Sequence, residues 1–88
     1  MSYSDKEIQA FAHNLYLLRK VRRLSRKQLA AIAGTSAYSI HKAESGVFPN
    51  TFSATVIAKI SRFFHLSPAA MFSPICSVSL LTKGEQDV

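Results

Sequence analysis

The apolar residues of this sequence follow the spacing of short amphipathic helices. From Ile8 to Leu18 they recur every three or four positions, which places them on one face of a helix. Ser4 and Glu7 stand three residues apart ahead of this run, as in a capping box, where serine and glutamate each bond the other's backbone N–H. The pattern therefore predicts a first helix that begins after the serine and ends near Arg22.

Two shorter helices separated by a tight turn are predicted next. Ser25 begins a second capping signature ahead of residues 26–33, and Gly34 then permits the left-handed backbone that commonly ends a helix. Ser36 caps a third helix that continues to about Ser45. The spacing thus predicts two helices of about two turns each, joined by a glycine-containing turn.

Beyond the third helix, the pattern predicts two more helices and one strand-like segment. In chain order we expect a loop at 47–51, a helix at 53–64, a short helix at 68–72, an alternating strand-like segment at 75–81 and a frayed tail at 83–88. The predicted fold class is all-α, with five helices and a short C-terminal strand-like segment. We divide the chain into a domain at 1–74 and a C-terminal segment at 75–88.

Length and composition limit the classes to which the chain can belong. Its 88 residues, of which 48% are hydrophobic and 18% charged, suit one small folded domain. The single cysteine, Cys76, excludes an internal disulfide framework and a cysteine-rich zinc site. No apolar run reaches the roughly 18–20 residues that cross a bilayer, and residues 1–7 do not resemble a secretory signal. A cytoplasmic protein without a membrane partner is expected.

The charge distribution narrows the class of partner. The net charge is +6, from 11 Lys and Arg against 5 Asp and Glu. Glu44 is the only acid between residues 8 and 84, whereas six basic residues fall within residues 19–27. Such a field attracts polyanions, of which DNA is the foremost candidate. The alternatives are a merely solvated basic helix end that complements the helix dipole, and an anionic membrane surface.

One string around the predicted turn resembles a known family. It reads Leu24-Ser25-x-x-Gln28-Leu29-Ala30-x-x-Ala33-Gly34-Thr35-Ser36-x-x-x-Ile40-x-x-x-Glu44-x-Gly46. This string resembles the Cro/phage-repressor, or XRE-type, helix-turn-helix family. The likeness spans about residues 8–72 and continues through Ala58-x-Ile60 and Leu66-Ser67-Pro68-x-x-Met71-Phe72. The resemblance implies a lambda-repressor-like five-helix domain that binds double-stranded DNA as a transcriptional repressor, commonly as a homodimer on a palindromic operator.

Carried over by position, the resemblance implies three groups of site residues. The third helix would enter the major groove, and the DNA-binding residues would be Arg26, Ser36, Ala37, Tyr38, His41 and Lys42. The phosphate-contacting residues would be Arg22, Arg23, Lys27, Asn50 and Thr51. A structural ion pair would join Arg19 to Glu44, which agrees with the position of that lone acid in a basic field. For each DNA-facing residue the alternative is an exposed side chain with no partner.

Two positions depart from the family pattern. Arg26 stands where the family usually has glutamine, which favours a phosphate contact over shared base readout. His65 stands where the family commonly has glycine, so we expect the end of the fourth helix to be shaped differently. The stretch between Gly46 and the end of that helix is also slightly longer than usual.

The remaining predictions concern partners and chemistry. The dimer candidates are Met71, Phe72, Ile75, Val78 and Leu80; the alternative is that this region covers the core of the monomer. A second function stays open: an antitoxin-like or co-regulator module whose main partner is another protein. The acids form no central pair and the histidines have no metal-ligand spacing. We therefore expect no enzyme, no cofactor and no metal.

Overall fold

A computed structural model describes residues 3–73 of the chain. Within those residues it contains no strand and five helices: α1 (Asp5–Val21), α2 (Arg26–Ala33), α3 (Ala37–Glu44), α4 (Ala54–Phe63) and α5 (Pro68–Met71). The all-α prediction is confirmed for this part of the chain, and each helix lies within about two residues of its predicted bounds. The predicted strand-like segment and the tail lie outside the described residues.

A serine begins each of these five helices. Its hydroxyl accepts a hydrogen bond from the backbone N–H three residues further on, and this holds for Ser4, Ser25, Ser36, Ser53 and Ser67. In α1 and α2 the side chain of the third helical residue also accepts from the serine N–H, which completes the two predicted capping boxes. Helix starts are therefore fixed by local chemistry that the sequence displays.

The first four helices end in a left-handed residue. Gly34 and Gly46 take this conformation after α2 and α3, with φ of 74° and 88°. After α1 and α4 the same role falls to Arg23 and His65, with φ of 56° and 59°. Beyond His65, the Leu66 N–H donates back to the Ser61 carbonyl of α4 at 2.9 Å, as it would after glycine. The expectation that histidine shapes this helix end differently is wrong.

The left-handed histidine leads to a stability prediction. A side chain with a Cβ pays about 1–2 kcal/mol in this conformation, which glycine avoids. We expect His65→Gly to raise the free energy of unfolding by about 1 kcal/mol in urea titrations, because glycine removes that strain. Gly34→Ala is the matched control and should lower it by a similar amount. Equal stability of His65→Gly and the parent would contradict this account of the helix end.

An aromatic cluster forms much of the core. Phe11 of α1 packs against Phe48, Phe52 and Phe72, with ring centroids 4.7–5.8 Å apart. Tyr3 stacks on Phe72 at 4.2 Å. Two of these rings, Phe48 and Phe52, come from the connection between α3 and α4, of which residues 47–51 were predicted as a loop. That connection is therefore anchored in the core at both of its phenylalanines.

The end of α5 belongs to the core of the monomer. Met71 is fully buried and Phe72 is 8% exposed. The buried Asn14 amide donates to the carbonyls of Met71 and Ser73, at 2.7 and 3.0 Å, and so ties this end to α1. The prediction that Met71 and Phe72 form a dimer contact is wrong, because their apolar surface is already covered within one chain. The other dimer candidates, Ile75, Val78 and Leu80, lie outside the described residues.

Candidate nucleic-acid interface

Helices α2 and α3 are joined by a short turn and pack directly on each other. Leu29, Ala30 and Ala33 of α2 are buried together with Ile40 and Ala43 of α3. The small alanines allow the two helices to approach closely. Because these residues face the core, the opposite side of α3 is presented to solvent.

The outward face of α3 carries four of the predicted DNA-binding residues. Ala37, Tyr38 and His41 are exposed and Lys42 is half-buried. The tyrosine is 64% exposed although it is large and partly apolar. The Lys42 Nζ lies 5.9 Å from the centroid of the Tyr38 ring. This face therefore combines donors and apolar surface that the core does not use.

A chain of hydroxyl groups links the start of α3 to the following loop. The Ser36 hydroxyl accepts from the Ser39 N–H and donates to the Ser39 hydroxyl, both at 3.1 Å. Ser39 is fully buried, and its hydroxyl bonds that of Thr51. Since the Ser36 proton is used inside the protein, Ser36 can act on DNA only as an acceptor or through its backbone.

The same network positions the loop that was predicted to contact phosphate. The Thr35 hydroxyl donates to the Thr51 carbonyl at 3.3 Å. The backbone N–H groups of Asn50 and Thr51 have no acceptor among residues 3–73. If Ser39 donates to Thr51, the Thr51 hydroxyl proton is also free to point outward. Two exposed residues thus offer donors beside the start of α3.

The basic residues at 22–27 are divided among different surroundings. Arg26 and Lys27 are exposed in the first turn of α2. The Arg22 guanidinium instead lies over the end of α4, 5.8 and 5.9 Å from the ring centroids of Phe63 and Phe64. Arg22, which is exposed like Arg23, Arg26 and Lys27, therefore packs its guanidinium group on aromatic rings.

The ion pair between α1 and α3 is present. The Arg19 Nε and Nη2 donate to the two Glu44 oxygens at 2.6 and 3.2 Å, and Nη1 donates to the Leu24 carbonyl at 2.8 Å. The two side chains are 8% and 4% exposed. A bidentate pair of this kind is both directional and strong. It fixes the end of α3 against α1.

A second arginine on the same carboxylate was missed by sequence reasoning. The Arg26 Nε donates to Glu44 Oε1 at 3.1 Å, with the arginine side chain 43% exposed. The signal was available: Glu44 is the only acid between residues 8 and 84, and Arg26 begins the helix that packs on α3. Glu44 therefore joins α1, α2 and α3 through two guanidinium groups.

Neither a membrane span nor a metal cluster is found in the part of the chain that the structure describes. No helix among residues 3–73 has both the length and the apolar character to cross a bilayer. In the same residues no three His, Cys, Asp or Glu side chains lie close enough together to hold a metal ion. Comparison of the sequence with protein-family models, with curated proteins and with solved structures found no match.

Proposed function

We propose that this chain is a sequence-specific DNA-binding transcriptional regulator with a lambda-repressor-like helix-turn-helix fold. In this proposal it is a bacterial or phage repressor that binds a palindromic operator as a dimer and thereby excludes polymerase. Helix α3 enters the major groove while α2 lies across the phosphate backbone. One observation carries the proposal: the exposed face of α3 presents Tyr38 and Lys42, neither of which serves the core.

The chemistry of that face suits base edges. Lys42 can donate to the O6 and N7 atoms of guanine, and the Ala37 methyl can contact the methyl group of thymine. The Tyr38 hydroxyl can reach a base edge or a phosphate. His41 lies on the same exposed face, where it can contact the DNA backbone. Different bases would therefore be distinguished by residues of one helix.

The positive charge of the chain supports binding to the DNA phosphate backbone beside this face. A net charge of +6 favours association with a polyanion. Arg26 and Lys27 are donors of the type that hold phosphates. So are the N–H groups of Asn50 and Thr51, which have no acceptor among residues 3–73. Each phosphate neutralised releases counterions, so affinity should fall by about 0.9 log units per contact for each tenfold rise in salt.

The proposal is tested by selection from randomised duplex DNA, followed by titration of the enriched and a scrambled duplex at two salt concentrations. We expect an enriched palindrome that binds at least about 1,000-fold more tightly than the scrambled duplex. The affinity for both duplexes should fall steeply with salt. Binding that is weak, sensitive to salt and indifferent to sequence would contradict the proposal and favour a protein partner, for which little salt dependence is expected.

A further inference from the structure

We propose that Glu44 is a positioning residue for DNA binding, which presets the guanidinium group of Arg26 toward a DNA phosphate. This inference rests on the proposed function. It goes beyond the ion pair between Arg19 and Glu44, because it assigns Oε1, which accepts from Arg26 as well as from Arg19, a role at the binding surface. The observation that carries it is the contact of 3.1 Å between Arg26 Nε and Glu44 Oε1.

The geometry of the contact leaves the binding end of Arg26 free. A guanidinium group has five N–H donors in a fixed plane, and the carboxylate takes only the one on Nε. Within residues 3–73, no acceptor is bonded to the two terminal nitrogens of Arg26. These nitrogens keep their paired donors, which is the arrangement that binds a phosphate through two parallel hydrogen bonds.

The carboxylate itself is well suited to serve as an anchor. Glu44 is 4% exposed and is already fixed by two bonds from Arg19. Arg26, at 43%, is exposed enough for a ligand to reach it. An exposed arginine loses rotamer freedom when it binds, and a side chain that is already oriented loses less. Glu44 therefore lowers the entropic cost of the phosphate contact.

Two substitutions separate positioning from charge. Arg26→Lys keeps the positive charge but lacks both the Nε anchor and the planar pair of donors, so we expect about a tenfold loss of affinity for the selected duplex. Arg62→Lys is the matched control, because Arg62 is an exposed arginine in the last turn of α4. Arg62→Lys should change the affinity for the duplex by less than about twofold, because it keeps the positive charge of an exposed residue. Equal effects of the two substitutions would overturn the inference.

A double-mutant cycle tests the role of Glu44 itself. Glu44→Gln removes a negative charge from a DNA-binding surface, so charge alone predicts tighter binding. If Glu44 positions Arg26, Glu44→Gln should weaken DNA binding by about fivefold or more when residue 26 is arginine. The same substitution should cause no loss in the Arg26→Lys background. A purely structural role through Arg19 would give the same loss in both backgrounds, and that result would overturn the inference.

A direct measurement covers the case in which Glu44→Gln does not fold. In the unmodified protein without DNA, the Arg26 Nε–H should exchange with solvent more slowly than that of Arg62 in proton–nitrogen NMR spectra. Equal exchange rates would overturn the inference even if DNA binding is established. Absence of sequence-specific binding by the parent would overturn the proposed function and the inference together, whereas the outcomes above affect the inference alone.

Discussion

Replacement of Glu44 by alanine is expected to lower the free energy of unfolding by about 3–5 kcal/mol. The glutamate side chain is 4% exposed and contacts the guanidinium groups of both Arg19 and Arg26. Without it, the Leu24 carbonyl is the only acceptor that residues 3–73 leave to the buried Arg19 charge. Because the free energy of unfolding of a domain is only about 5–15 kcal/mol, this one substitution would remove much of it.

Arg26→Ala is the matched control for this substitution. It removes a partner of the same carboxylate but leaves the bidentate bonds from Arg19 in place. Since Arg26 is partly exposed, its loss should cost less than about 1 kcal/mol. Urea titrations of the two variants and the parent measure the difference. Equal losses, or a small loss for Glu44→Ala, would contradict a buried anchor between the helices.

Alanine at Tyr38 or Lys42 is expected to weaken binding to the selected duplex by about tenfold or more for each residue. Binding to scrambled DNA should change much less, because base contacts carry sequence information and phosphate contacts do not. Both variants should keep the stability of the parent, since both side chains lie on the outer face of α3. Titration of the two duplexes at one salt concentration measures the loss of specificity.

The chain contains a closely matched control pair on another helix. Tyr16 and Lys20 of α1 also stand four residues apart, and the Lys20 Nζ lies 6.0 Å from the Tyr16 ring centroid. This spacing nearly equals that of the Tyr38 and Lys42 pair on α3. Alanine at Lys20 removes the same charge from a different surface and should leave specificity unchanged. A loss of specificity as large as that for Lys42→Ala would show that α3 is not the reading helix.

The parts of the fold that the sequence predicts are those fixed by neighbouring residues. A serine cap acts on a backbone N–H three residues away, so the starts of the helices could be predicted from short windows. The left-handed Gly34 is equally local. Spacing does not decide whether Ile32 or Ala33 faces the core; the folded chain buries the alanine and exposes the isoleucine.

The parts that were missed depend on partners distant in the chain. Phe52 is buried and Phe48 is partly buried where α1 brings Phe11 against their rings, which no local periodicity reveals. Asn14 lies on the buried face of α1 because its amide meets the end of α5. At the candidate site, four of the DNA-binding residues carried over by position, Ala37, Tyr38, His41 and Lys42, lie on the outward face of α3. The bond from Arg26 to Glu44 requires the packing of α2 on α3.

The most direct test of the central claim is a proton–nitrogen NMR titration of the protein with its selected duplex. If α3 reads the major groove, the largest amide shifts will fall in its first turn, at Ala37 and Tyr38, with smaller shifts in the first turn of α2. Shifts centred on the outward face of α1 around Tyr16, with the α3 amides unmoved, would contradict the account.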